Sequence, residues 1–545
     1  MVLPETGQLR DIAWFFGILL SILGSFLFAW WVSRPEGRLG QTLSTRFIHG
    51  IPWGSFVTVF GVLGFYLFAQ GGVWHWNSPV TVPFTATSYF YPLGMLTAAF
   101  AHSSASHLTN NLLSTLVLAP LAEYVWGHYP ERNGANNRLL SNPYARAFLL
   151  FPAGVFAVGI MTALFAWGPV IGFSGVVFAF VGFSLVKFPL LTVVAITART
   201  AVHIFTAALS NPVVVAEATT RFTRPSWAGT AVQGHALGLF IGVALGGILL
   251  WYRNDRTDPV RLWVGSLLAG MALSLWALWW TRGQNTYVLY RGAGIILVAT
   301  FAVIITAAIV TSDRRIWGDL TARQAAILVL CIPLLTMMLV AVPLNINVLT
   351  ADNPSDSGIE IGGEYVVFYD EDVQDRMYSV IDIEILNETT DVTTTGVIVV
   401  NEDRHIWRQA VSAAQLAHYG DRTVVVGGLG WRETVDVKRQ GWEPVGNDTV
   451  YAVWLQHDGD RELSFESEPK SATPVIANHE FTFLPASGDF AIEVRWDSGT
   501  ETTPIPAKNE SVTVNDIEVE NDDGDLIVTH ENRTTVRIAS IETYE

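Results

Sequence analysis

Ten runs of about 20 mostly apolar residues occupy the chain up to residue 351, at about 12–32, 50–70, 107–126, 147–167, 172–188, 191–210, 229–251, 262–281, 291–311 and 325–345. A run of that length crosses the hydrocarbon core of a bilayer as a helix, so this part reads as a polytopic α-helical membrane bundle. The fifth and sixth runs share one long apolar stretch, and their boundary stays open. Met1–Asp11 lacks a basic region followed by a short apolar run and a small-residue cut site. The first run is therefore expected to remain in the membrane. Lone Cys331 lies inside the last run, has no intrachain partner for a disulfide, and reads as packing.

Charge divides the chain in two. Residues 1–351 carry 19 Lys+Arg against 10 Asp+Glu, a balance of +9, whereas residues 352–545 carry 13 against 39, a balance of −26. Only Lys187, Lys438, Lys470 and Lys508 are lysines. A lysine-poor, strongly acidic surface stays hydrated where salt screens its self-repulsion, which suggests a halophilic setting. A GC-rich genome would account for the arginine bias but not for the acidity. Nothing in the chain points to a nucleic-acid partner.

Basic residues accumulate in cytoplasmic loops. Four connecting segments carry them: Arg34, Arg38 and Arg46; Arg132, Arg138 and Arg146; Arg253, Arg256 and Arg261; Arg314, Arg315 and Arg323. The alternate segments are poorer, and 73–101 and 168–171 have none. The expected topology has both termini outside. Four N-x-S/T sequons, at Asn387, Asn447, Asn509 and Asn532, all fall in the acidic tail. Sequons can be glycosylated only on a translocated segment, so they agree with that orientation and make a glycoprotein the expectation.

The tail itself reads as strands. β-Branched or alternating runs recur at Tyr365–Tyr369, Ser379–Leu386, Gly396–Asn401, Thr423–Val426, Val450–Leu455, Glu480–Leu484, Phe490–Trp496, Ser511–Val519, Leu526–Thr529 and Thr534–Ile541. Gly, Asn, Asp and Pro clusters separate them. The fold expected is an extracellular all-β domain of one or two sandwich-like modules, with no catalytic constellation in it.

Three polar islands interrupt the membrane part: 101–111 (AHSSASHLTNN), 172–175 (GFSG) and 234–238 (GHALG). Polar side chains inside a membrane are costly and usually face a bundle interior or a wet cavity. His107 and Asn111 lie four apart, on one helix face, and both offer N–H donors. Ser174 opens a helix, where free backbone N–H groups point outward. His235 is the histidine of the seventh run. A serine hydroxyl needs a neighbouring base, and a developing oxyanion needs preorganised donors. With alternate spans entering from outside, all three islands fall at a similar depth below the outer surface. A G-x-S-G match alone arises by chance about 0.2 times in a chain this long. A lone membrane histidine or asparagine is more often interhelical glue. Their joint order and depth carry the argument.

This pattern resembles the rhomboid family of intramembrane serine proteases over about residues 47–251. His102, His107 and Asn111 match the family's H-x4-H-x3-N, and Glu123 with Gly127 its E-x3-G. Gly172, Ser174 and Gly175 match G-x-S-G, and His235 with Gly238 matches H-x2-G. Gly238, Gly242 and Gly246 continue a small-x3-small stripe that lets two helices approach closely. The Trp-Arg pair frequent in the family's first external loop is absent from 73–101, although Trp74 and Trp76 are present.

The resemblance implies four segments. They are an extra N-terminal helix and basic loop (1–46), a six-helix rhomboid-like core (47–251), three extra helices (252–351) and the acidic β domain (352–545). It implies Ser174 as nucleophile, His235 as base and Phe178 beneath the histidine ring. His107 and Asn111 would serve as oxyanion donors, with His102, Gly172 and Gly238 in support. Substrates would be transmembrane helices of other membrane proteins, in the lipid bilayer, with no cofactor and no metal. Two other classes stay open: a catalytically inactive rhomboid-like protein that binds membrane clients, although such relatives usually lose the Ser or His, and a transporter. Ten spans suit a transporter, but no internal repeat is evident, and Glu123 is the one acidic residue within the runs.

Overall fold

The computed structural model describes residues 6–33, 38–130, 138–213, 223–283, 285–311, 314–346, 358–376, 392–530 and 534–545. These fall into two compact units, one helical and one of β-sheets, with Thr281–Tyr287 grouped with the second. The expected strand Ser379–Leu386, the sequon residues Asn387 and Asn532, and Arg34 and Arg132 lie outside the described residues.

Among the described residues, ten major helices build the helical unit: α1 Thr6–Ser33, α2 Trp53–Gly64, α3 Ala105–Trp126, α4 Pro143–Leu164, α5 Ser174–Lys187, α6 Pro189–Ser210, α7 Val232–Tyr252, α8 Pro259–Ala272, α9 Arg291–Val310 and α10 Ala322–Asn345. A π-helical turn, Phe65–Ala69, prolongs α2. By length and apolar composition, five of these can cross a membrane: α4, α6, α7, α9 and α10. Ala13–Ser25, Trp53–Ala69 and Ser174–Lys187 are shorter apolar helices. The chain is a membrane protein. Its helix α3 is long enough to span, but its N-terminal turns carry His107, Thr109, Asn110, Asn111, Ser114 and Thr115.

The eighth run departs from expectation. A helix over about 262–281 was anticipated, yet α8 ends at Ala272, and Trp279–Gly283 forms a strand paired with Thr286–Leu289. Fourteen residues rise about 21 Å, short of a core of about 30 Å. Ser274 takes a left-handed conformation (φ 57°) that stops the helix. Beyond Ala272 the run continues with Leu273, Leu275, Trp276, Ala277, Leu278, Trp279 and Trp280. Tryptophan also favours a polar–apolar boundary, so its presence overstated the span.

Helix α5 sits at the centre of the bundle. Eleven of its fourteen residues are buried, and a helix apolar on all sides belongs inside its fold. It stops at Phe188, before Pro189 opens α6. At its N-terminal end α3 is capped by Ser104, whose hydroxyl accepts the His107 backbone N–H at 3.2 Å. At the C-terminal end Gly127 (φ 63°) turns the chain away from the helix and returns its N–H to the Glu123 carbonyl. The fully buried Glu123 carboxylate accepts the backbone N–H groups of Gly54 (2.9 Å) and Ser55 (2.7 Å) and the Ser55 hydroxyl (2.6 Å). It thereby caps the first turn of α2, where anions are favoured.

Among the described residues from 358 onward, the second unit has three antiparallel sheets. Strands 359–361, 365–374, 393–401 and 406–412 make a four-stranded meander. An eight-stranded sheet combines 421–466 with 511–541 through the pairing of Trp442 with Ile541. Strands 470–471, 480–486, 489–496 and 499–504 form the third sheet. One core joins Val450, Val519 and Val528 of the large sheet to Phe481, Phe483 and Ile492 of the third. The short helix Ala413–Tyr419, opened by a capping box from Ser412 and Gln415, is its one helical element among the described residues. Asn447 and Asn509 are exposed.

Candidate active site

The nucleophile candidate opens α5. Just before it, Gly172 has φ 128° and donates its N–H to the Ala98 carbonyl at 2.8 Å. A Cβ at Gly172 would lie 2.5 Å from His107 Cε1, so both the backbone conformation and the histidine ring exclude a side chain there. The His107 ring thus lies against the backbone that enters Ser174.

Helices α5 and α7 meet backbone on backbone. A Cβ on Gly238 would stand 2.0 Å from the Gly175 carbonyl oxygen, one on Gly242 2.1 Å from the Ala179 oxygen, and one on Gly182 2.1 Å from the Leu239 oxygen. Small residues permit this approach. It sets the N-terminal end of α7 over the start of α5, and His235 Nε2 lies 2.8 Å from Ser174 Oγ. The Phe178 ring, one turn into α5, stacks on the His235 ring at 4.2 Å and 10°. His235 Nδ1 is buried with no hydrogen-bond partner among the described residues.

His107 Nδ1 is 3.0 Å from the Ser103 hydroxyl. One turn further along α3, Asn111 is buried, and its Nδ2 has no partner among the described residues. His102 is fully buried, with its ring edge-on to that of His107 at 5.1 Å. Its backbone is held by buried Gln70. Gln70 Oε1 accepts the His102 N–H (2.8 Å), and Nε2 donates to the His102 carbonyl (2.9 Å) and to that of Val80 (2.8 Å). The structure therefore brings Ser174, His235, Phe178, Gly172, Gly238, His107 and His102 into one contiguous cluster. Asn111 lies one turn below His107, on the same helix.

Residues 89–252 match the family model of the Rhomboid domain. This part of the chain is a Rhomboid domain. The matched segment runs from the loop before α3 to the end of α7 and contains every motif of the rhomboid resemblance. No curated protein and no solved structure matches the chain. Beyond the rhomboid motifs, sequence reasoning missed Gln70. Its one available signal was an amide at the end of an apolar run, and that names no partner.

Proposed function

We propose that this rhomboid is an intramembrane serine endopeptidase that cleaves transmembrane segments of other membrane proteins. The observation that carries the reading is the 2.8 Å contact between Ser174 Oγ and His235 Nε2, with Phe178 stacked on the imidazole. In the first step Ser174 Oγ attacks the scissile carbonyl carbon while His235 Nε2 accepts the hydroxyl proton. The oxyanion that forms takes hydrogen bonds from His107, Asn111 and the Ser174 backbone N–H. Asn111 Nδ2, buried and unpartnered among the described residues, suits that role because its donor is free. His235 then gives its proton to the departing amine. Water attacks the ester with His235 again as base, releasing the new carboxyl terminus and restoring Ser174. Gly172 and Gly238 set the approach of the parts, Phe178 orients the base, and His102 supports the His107 ring. The domain plan of 1–46, 47–251, 252–351 and 352–545 goes with this reading.

The basic connecting segments support a topology with the active site toward the outer surface and the acidic β unit outside the cell membrane. Exposed Asn447 and Asn509 suit that side as glycan acceptors. A surface at −26 suits high salt. The deciding experiment compares membranes holding wild type and Ser174→Ala for single-span proteins that accumulate at full length. Equal patterns would leave a client-binding rhomboid without catalysis. External protease on intact cells should remove 352–545; protection until lysis would reverse the orientation.

A further inference from the structure

The rhomboid match ends at residue 252, yet groups beyond it reach back to the segments that carry the candidate catalytic pair. Helix α4 ends at Leu164, and only nine residues separate it from Ser174. The last carbonyls of a helix have no partner within it. Here the Leu164 carbonyl and the two that follow it are taken by side chains from three other segments. The Leu164 carbonyl accepts the Tyr89 hydroxyl at 2.7 Å, and the Phe165 carbonyl accepts Gln233 Nε2 at 2.9 Å. The Ala166 carbonyl accepts Asn345 Nδ2 at 2.9 Å. Trp167 donates its backbone N–H to Gln233 Oε1 at 3.1 Å and its indole N–H to the Met337 carbonyl at 2.8 Å.

Asn345 is the last residue of α10 and is buried; its own carbonyl accepts the Tyr89 N–H at 2.8 Å. The approach to His235 is held in the same way. Trp279 Nε1 donates to the Thr230 carbonyl at 2.8 Å, two residues before α7 begins. Gln233, in the first turn of α7, ties the two approaches together. Asn345, Met337 and Trp279 all lie in the extension that follows the matched domain.

We infer that the C-terminal helical extension is a working part of the active-site frame, with Asn345, Trp167 and Trp279 as positioning residues that hold the backbone leading into Ser174 and His235. This rests on the serine-protease reading above. None of the three touches the reacting atoms. They act by holding the loop between α4 and α5 and the start of α7 in register, so that Ser174 Oγ meets His235 Nε2. A misplacement of about 1 Å at such a pair costs about 10²-fold in rate, and substrate capture by the membrane-facing surface is not altered.

The test uses the full chain in liposomes. Wild type, Ser174→Ala, Asn345→Asp, Trp167→Phe and Trp279→Phe are reacted with a fluorophosphonate and assayed on a membrane-helix substrate. Asn345→Asp keeps the shape but removes both N–H donors, and each Trp→Phe keeps a ring but removes the indole N–H. Wild type should label at Ser174. Asn345→Asp should label and turn over about 10²-fold more slowly with KM within about twofold, and the two Phe variants about 10-fold more slowly. Amide exchange over 164–173 should rise in Asn345→Asp and Trp167→Phe whether or not the enzyme is active. If wild type fails to label while exchange still rises in these variants, the protease reading falls and the frame stands. If wild type labels and the three variants label at its rate, or if exchange over 164–173 is unchanged, the inference is overturned. Should Asn345→Asp fail to fold, Trp167→Phe alone decides.

Discussion

Two buried polar clusters, one in each unit, are satisfied to different degrees. In the β unit, Arg439 Nε donates to both carboxylate oxygens of Glu542 at 3.0 and 2.9 Å, and the Tyr544 hydroxyl donates to the Arg439 carbonyl and to Glu542 Oε2, each at 2.9 Å. The Arg439 guanidinium also lies 3.6 Å from the centre of the Tyr451 ring, and the Tyr451 hydroxyl meets both Tyr369 and Glu371. Each group in that cluster has an opposite number. In the helical unit, His235 Nδ1 and Asn111 Nδ2 are buried and face no acceptor among the described residues. A satisfied buried network specifies a structure. A buried donor left open costs about 1–3 kcal/mol, and such cost is tolerated where a later partner supplies the missing bond. The contrast separates a cluster that holds shape from one that, on the proposed function, awaits a substrate.

The largest effect should come from the open side of that comparison. Ser174→Ala and His235→Ala should each remove cleavage by about 10⁵-fold or more without unfolding the protein, and the double variant should be no worse, because the pair acts as a unit. Additive losses in a turnover assay would break the pairing. On the satisfied side, Glu542→Gln leaves a buried guanidinium without its counter-charge and should cost the β unit about 3–5 kcal/mol. Thermal or denaturant unfolding of that unit reads it, and a midpoint equal to wild type would show the network to be dispensable.

Asn111→Ala should slow turnover by about 10²–10³-fold with KM nearly unchanged, and His107→Ala by a similar amount. Matched loss of binding and rate would make these groups structural, like those of the tail. A smaller effect concerns pH. Burial pushes the Tyr369 hydroxyl up to about 12 from its ordinary value of about 10. A pKa raised on folding contributes stability that is complete below the unfolded value and lost as pH rises through the folded one. The β unit should therefore weaken from about pH 10 to 12, and Tyr369→Phe should flatten that slope. Deletion of 352–545 should change least, leaving cleavage of a generic membrane helix largely intact. Loss of all cleavage by a folded, truncated enzyme would erase the division of labour between the units.

The motif residues were legible because their relations are local. His107 and Asn111 share a helix face by spacing alone, and Gly172 and Ser174 sit in one turn. Gln70, Gln233, Trp167 and Asn345 were not, because a single amide or indole in an apolar run does not reveal which backbone it will hold. In the tail, the expected strand Thr534–Ile541 coincides with the observed one. The stretch Ser511–Val519 splits into two strands at the turn over Asn515. The longest strand, Trp431–Pro444, escaped notice because Arg432, Glu433, Asp436, Lys438, Arg439 and Gln440 mask its alternation. Its buried face, Val435, Val437 and Arg439, becomes apparent only once Glu542 is seen to neutralise the arginine.

The glycine contacts between α5 and α7 also bear on how this protein meets its solvent. Bilayers differ in thickness, and helices respond by tilting. With carbonyl oxygens of one helix seated where the other has no Cβ, at Gly182, Gly238 and Gly242, neither helix can tilt or slide without its neighbour. The pair moves as one strut, and the spacing between hydroxyl and imidazole is insulated from lipid length. Transfer from short-chain to long-chain lipids should therefore act on how substrates arrive, while the chemistry at Ser174 keeps its geometry.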